Sequence, residues 1–410
     1  MRDFNHIILY TMLLFCVSLS SCSNDDNEIL EKDINNIIIT CQAAGFEVLS
    51  TDITRATQES GDKSLNELIV KRLALLVYKD GILLDYVKPS NYDKNQPNLP
   101  NTCIGGSKGV WNITGYIPKE YLQTENYNLY LIANYEFTDD EIESIKSEAD
   151  ITNVKFNKVT HNINSFTPNN KQNEFMMIQK GVDSRTTSDG TLILEFNNLK
   201  RVLSKIQIIA LDGSGNASVE KLKDIKKYKL VNYAYDPQDV YWFSDKDPSS
   251  EIEPKLTTMI TGDNGFVDLW SGDAITAPYP NGTDSKDLYK DGLSFVLYSY
   301  PNYWYDNTKN IWVEEPIDWD RQTHLLIKAN YNGYEFYYKI PINYRLPDNN
   351  DAVLDNLENA KKEAEEYCRL RRNHLYRVFV YIDRRGGETA REAVYIAPAP
   401  YTEVVVRPEF

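Results

Sequence analysis

The stretch Gly105-Gly-Ser-Lys-Gly109 fits the G-x-S-x-G pattern that presents a nucleophilic serine, here Ser107. That chemistry needs a strand before the serine and a helix after it. The next residues, "VWNITGYI", are strand-like, so a glycine-rich loop is the expected reading. Glu314, Glu315, Asp318 and Asp320 lie close together in "VEEPIDWD". Two such carboxylates could serve as acid and base in glycoside hydrolysis, but a solvated acidic loop is the simpler reading. Beyond residue 21 there are three histidines, His161, His324 and His374, and none stands at metal-ligand spacing from another or from a cysteine pair. No Gly-Lys-Ser/Thr phosphate loop occurs. The expectation is a non-enzyme without cofactor or metal.

Tyr303, Trp304, Tyr305 and Trp312 crowd into "YSYPNYWYDNTKNIW". Such rings can form a stacking platform for a glycan or a patch for a host protein. A core cluster is the competing reading, and solvent exposure of Trp304, Trp312 and Trp319 separates the two.

Cys22 is the other residue with evident chemistry. An apolar block, "HIILYTMLLFCVSLS", precedes it and has the length of a signal-peptide core, short for a membrane span. Leu19-Ser20-Ser21-Cys22 resembles a bacterial lipobox, whose cysteine is acylated and becomes the new N-terminus. "SNDDNE" after it resembles the acidic export tag of Bacteroidetes surface lipoproteins. The chain is then anchored in the outer membrane by lipid, not by a helix. An ordinary signal peptide with an incidental cysteine is the alternative. Cys41, Cys103 and Cys368 remain, which allows at most one disulfide; buried free thiols are the expected state.

The elements that must position these residues read mainly as strands. "NNIIITCQAAGFEVLS" (35–50) reads as an apolar strand pair, and 51–64 as a polar exposed loop. Asp80-Gly81 and Asn332-Gly333 each mark a tight hairpin turn. Thr138 and Glu141 stand at capping-box spacing, so a short helix starts there. Asp351–Leu370 reads as the one longer helix. Tyr334, Phe336, Tyr338, Ile340 and Ile342 alternate with polar neighbours, the period that buries one face of a strand. The 29 tyrosines suit half-wet pleated surfaces. Many short strands and few helices give two β-sandwich domains, 56–185 and 186–410, behind a signal (1–21) and an N-terminal segment (22–55).

With 410 residues, 42% of them hydrophobic, the chain can bury real cores. Its formal net charge of −16 repels phosphate backbones, so nucleic acid is not an expected partner.

Several stretches in order resemble the fimbrillin family, the subunits of Bacteroidetes type V pili. They are the lipobox cysteine, Thr54-Arg55-Ala56, "LALLVYKDGILL", "LYLIANYEFTDDEI", "LKRVLSKIQI", "YYKIPINY" and "LRRNHLYRVFVYI". The resemblance implies two transthyretin-like sandwiches on a surface fimbria. It also implies cleavage between Arg55 and Ala56, since a trypsin-like protease needs an accessible arginine in a loop. Loss of the 35–50 strand would open a groove in the first sandwich for a neighbouring fimbrial subunit's strand. The candidate donor is "YTEVVVRPEF", with Val404, Val405 and Val406 at its centre and Val404 and Val406 on one face. A glycan-binding surface lipoprotein, and an uncut anchor or tip subunit, are the alternatives.

Overall fold

A computed structural model of the chain describes residues 37–43, 46–48, 57–59, 73–87, 103–105, 110–115, 127–135, 137–151, 175–181, 183–186, 188, 192–233, 266–269, 294–306, 308–309, 317–343 and 365–397. Cys22, Arg55, Ala56, Trp312, Val404, Val405 and Val406 lie outside these residues.

The chain opens with eleven strands, nine of which build the first sandwich, eight of them along one hydrogen-bonded path. They are β1 (Ile37–Ala43), β2 (Phe46–Val48), β3 (Thr57–Glu59), β4 (Leu73–Lys79), β5 (Ile82–Val87), β6 (Cys103–Gly105), β7 (Val110–Gly115), β8 (Tyr127–Ala133), β9 (Met177–Lys180), β10 (Asp183–Thr186) and β11 (Leu192–Arg201). The path runs β5-β4-β8-β9-β11-β1-β7-β6, with β10 also paired to β11, while β2 and β3 go elsewhere. The long strand β11 serves both halves: Leu192–Leu199 pairs with β1, and Lys200 and Arg201 pair with β9. One apolar cluster joins the halves, with Leu75, Val77, Leu131 and Met177 from one and Cys41, Leu194, Phe196 and Leu199 from the other. A central strand packed on both faces has no polar side, which is why six consecutive residues of β4 are buried.

The second sandwich continues with β12 (Ser204–Ala210), β13 (Ile225–Val231), β14 (Val267–Asp268), β15 (Ser294–Ser299), β16 (Asn302–Tyr303), β17 (His324–Tyr331), β18 (Tyr334–Pro341), β19 (Arg369–Leu370), β20 (His374–Val380) and β21 (Val394–Tyr395). Its sheets run β15-β12-β20-β2-β3 and β14-β13-β17-β18-β21, with β16 paired to β19. Ile206, Ile208, Phe295, Leu297, Val378, Leu325, Ile327 and Tyr338 fill the space between them. Val296 and Tyr298 leave β15 on its other side and pack into the first core, where the Tyr298 ring lies 4.8 Å from Phe175.

Local signals behave as their chemistry requires. Asp80 (φ 51°) with Gly81 (φ 78°) turns β4 into β5, and Asn332 (φ 53°) with Gly333 (φ 87°) turns β17 into β18. Both residues of each turn take the positive φ that a two-residue hairpin demands. Three short α-helices are described end to end, α1 (Asp139–Ser144), α2 (Glu148–Ile151) and α3 (Val219–Asp224), with a 3-10 turn at Ala390–Glu392. Thr138 caps α1, with its side chain accepting from Glu141 N while the Glu141 carboxylate accepts from Thr138 N.

Three readings of the sequence need revision. The 35–50 segment does make two strands, but they pair with different sheets and not with each other. The strand at 192–201 belongs to the first sandwich, so its sheets run past residue 185, and Thr57–Glu59 lies in a sheet of the second. A boundary set at a polar stretch cannot see which core a strand enters. Helical backbone is described at 365–367, but Arg369 and Leu370 already form β19 against Asn302 and Tyr303.

Candidate functional site

β1 lies inside its sheet, paired along both edges. It runs antiparallel to β7, with Ile37 opposite Gly115, Ile39 opposite Ile113 and Cys41 opposite Trp111. On the other edge it runs parallel to β11, with Ile37 opposite Leu192, Ile39 opposite Leu194 and Cys41 opposite Phe196. The register shifts between Cys41 and Ala43, where the pairing reaches Leu199. Cys41 is 1% exposed and packs in the first core with Leu194, Phe196 and Leu199. Among the described residues neither it nor buried Cys368 is joined in a disulfide.

This placement has a direct consequence for the backbone. A strand between two neighbours offers its N–H and C=O groups alternately to each side. Without β1, both β7 and β11 would carry a row of unpaired groups, and apolar side chains such as Phe196 would lose cover. Sheet edges of that kind template the addition of another strand.

The same N-terminal segment is held a second time. β2 extends the sheet of the second sandwich, running parallel to β20 with Glu47 opposite His374 and Val48 opposite Leu375. β3 then pairs antiparallel on β2, with Phe46 opposite Glu59 and Val48 opposite Thr57. In the sequence Arg55 and Ala56 stand between these two strands, outside the described residues. Sequence reading missed this second attachment, because "FEV" and "TQE" are too short to carry a periodicity signal.

The aromatic stretch divides on inspection. Tyr303 and Trp304 are buried, with Trp304 1% exposed in the second core. These two rings are therefore not part of an open platform; Tyr303 is held in β16 by its pairing with β19, and Trp304 N donates to the Cys368 carbonyl. The Tyr303 hydroxyl donates to Glu365 Oε1 at 3.4 Å, and burial first, then the Glu365 charge, push its phenol pKa up. Tyr305 is half-buried, its ring 6.3 Å from that of Tyr303. Among the described residues of this region Trp319 is the exposed ring, edge-on to Tyr395 at 5.8 Å with Lys339 Nζ 5.8 Å from its centroid.

Of the residues weighed for catalysis, Ser107, Glu314 and Glu315 lie outside the described residues, while Asp318 and Asp320 are described. The described elements on either side of Ser107, β6 and β7, pair antiparallel, so the element that follows is a strand where a nucleophile elbow has its helix. Asp318 accepts a bond from the backbone N of Asp320, a local turn contact. Among the described residues no group of three or more His, Cys, Asp or Glu could hold a metal ion. No helix among them is long and apolar enough to cross a membrane.

No protein-family model matches the chain. No curated protein matches it either. Among solved structures it is similar to the tip fimbrial protein of Porphyromonas gingivalis with a C-terminal truncation. There the identity is 16% and the TM-score 0.44, over 85% of this chain and 96% of that one. It is also similar to a fimbrial assembly protein from Parabacteroides distasonis, at 7% identity and a TM-score of 0.37, over 84% of this chain and 90% of that one.

Buried polar contacts link the two sandwiches and brace the second, and no motif announced them. Arg201, at the end of β11, is fully buried and donates from Nη1 to Asn373 Oδ1 at 3.2 Å, which also accepts from Arg201 N. Asn373 N in turn donates to the Leu203 carbonyl. Asn302 Nδ2 donates to the Asn232 carbonyl and to Thr323 Oγ1, tying β16 to the residue after β13 and the residue before β17. These contacts span up to 172 positions in the chain, beyond the reach of any local pattern.

Proposed function

We propose that this chain is a structural and adhesive subunit of a cell-surface fimbria, exported as a lipoprotein through Cys22. In this reading it is cut between Arg55 and Ala56 and polymerises by strand replacement. One observation carries the reading: β1, which precedes Arg55 in the chain, fills the middle of a sheet between β7 and β11. Cutting at Arg55 severs the covalent hold on a strand whose departure leaves two edges and part of a core open. A strand from another subunit restores the lost main-chain bonds and refills the core. Donor and acceptor are different surfaces, so the contact is head-to-tail and propagates as a fibre.

The test is limited trypsin treatment of the full chain. The wild type is expected to be cut first near Arg55 and then to form ladders, whereas Arg55→Ala stays intact and monomeric. A chain that is cut there yet remains monomeric would sink the assembly step and leave an anchor or glycan-binding lipoprotein that works uncut. Lipidation is tested separately: Cys22→Ala is expected to leave an unprocessed or soluble precursor. Normal processing and an unchanged membrane fraction would remove that part of the proposal.

A further inference from the structure

Away from β1 and its neighbours, the second sandwich holds a cavity at the ends of its strands. We propose that this cavity binds one neutral sugar ring, with Asp224 and Asn330 holding its hydroxyls and Tyr331 and Tyr334 offering aromatic faces to its C–H surface. Such a site rests on the reading of the chain as adhesive and supplies that reading's ligand class, without needing strand replacement.

The strands fix where the cavity lies. β12 and β20 run parallel, with Lys205 opposite Leu375 at one end and Ala210 opposite Val380 at the other. The first end adjoins the Arg201–Asn373 contact with the first sandwich, and the second is roughly 17 Å further along the strands. There a cavity of about 120 Å³ is walled by Leu211 and Val380. α3 brings Lys221 and Asp224 to it; the helix is capped by the Ser218 hydroxyl, which accepts from Lys221 N, and anchored by buried Leu222. β17 brings Asn330 and Tyr331, just ahead of the Asn332-Gly333 turn. Ile225 stands opposite Ala329, so the antiparallel register carried one step on sets Asp224 across from Asn330. A cavity of about 150 Å³ takes a benzene-sized ring, so this one admits the edge of a single pyranose and not a run of sugars.

The polar groups select the ligand's chemistry. Lys221 Nζ stands 3.5 Å from Asp224 Oδ2 and both side chains reach solvent, so the pair is loose and each partner keeps bonding capacity. Asn330 Oδ1 is shut off from bulk water and has no hydrogen-bond partner among the described residues. A ligand donor satisfies such an acceptor once the amide turns toward it. Charges of both signs border one small space. A cation meets Lys221 there and an anion meets Asp224, so the best fit is a neutral group that donates and accepts at once. Neighbouring ring hydroxyls do both: they donate to Asp224 and Asn330 and accept from Lys221.

The tyrosines supply an independent observation. The Tyr331 hydroxyl donates to the Asp383 carbonyl at 3.1 Å, which fixes the ring beside the cavity. Tyr334 stands directly opposite Tyr331 across the hairpin, so the two side chains share a face. Tyr334 is 72% exposed, more than any other large apolar side chain among the described residues. Packing gives no reason to hold that ring in water at the rim of a polar cavity. The C–H face of a sugar covers such a ring while its hydroxyls stay with the polar groups.

The experiment applies the full chain to an array of glycans ending in neutral, sialylated or sulfated sugars, and then competes with the methyl glycoside of the sugar found. Hits are expected to share one neutral terminal sugar, with its methyl glycoside displacing them. Asp224→Ala and Tyr334→Ala are each expected to weaken binding by about tenfold or more. Trp319→Ala, whose exposed ring does not line the cavity, is expected to bind as wild type. No binding at all, or binding of acidic glycans alone, overturns the ligand class. Binding that Trp319→Ala abolishes, or that Asp224→Ala and Tyr334→Ala leave unchanged, overturns the site. Should Asp224→Ala fail to fold, Tyr334→Ala carries the test, since its ring is mostly in solvent. Each of these failures leaves the fimbrial reading standing, because cutting at Arg55 and ladder formation are read separately.

Discussion

His324 begins β17 and is 2% exposed, with Nδ1 2.9 Å from the Gln322 carbonyl and Nε2 without a hydrogen-bond partner among the described residues. Burial, then the Lys339 charge, lower its pKa to about 3; Lys229 adds to this, against the bond to Gln322. The folded state thus keeps the ring neutral while the unfolded chain binds a proton below about pH 6.5. Its stabilising effect is present above that pH and is lost as pH falls toward 3. In His324→Asn the donor to Gln322 is retained and the titration is gone. The stability advantage of wild type over this variant is expected to shrink between pH 7 and 5, by on the order of 2 kcal/mol. Parallel melting curves at the two pH values check this, and an unchanged difference would show that the ring is already charged or solvated. The sequence showed that His324 lacks metal-ligand spacing, but not that it is buried. The same limit explains Trp304: a run of aromatic residues reads alike whether the backbone turns it outward or, as at Trp304, into the core.

At the scale of elements, whatever is local was legible. The capping box at Thr138 and Glu141 and the two turns at Asp80-Gly81 and Asn332-Gly333 each need only a few neighbouring residues, and each formed as read. Thr138→Ala removes one of the two reciprocal bonds and is expected to cost about 1 kcal/mol, seen as a lower urea midpoint with an unchanged slope. No change would mean that Glu141, itself buried, holds the helix start alone. Partner choice was not legible. Two short apolar runs at 37–43 and 46–48 look like a hairpin, yet they enter different sheets because each completes a core elsewhere. The end of the 351–370 helix failed for a related reason: Leu370 suits an apolar helix face, but its place in the second core is reached as a strand.

The molecule as a whole couples these parts through one segment that ties into both sandwiches ahead of the proposed cut. Residues 22–55 carry seven acids and two bases, a net −5, so their loss moves the chain from −16 to −11. Like chains then repel one another less as the slot opens, and polymer growth should quicken with added salt, which screens the charge that remains. Cys41 offers a direct probe of the order of events. It is 1% exposed and Cys368 is 2% exposed, so in the intact chain both thiols should resist alkylation. After cutting at Arg55, peptide-resolved mass spectrometry is expected to find Cys41 labelled at the rate at which polymer grows, with Cys368 still protected. Labelling of Cys41 before any cut would mean that β1 is not held in the sheet strongly enough to keep subunits apart. Polymer growth with Cys41 still protected would mean that subunits join by another surface, with β1 left in place.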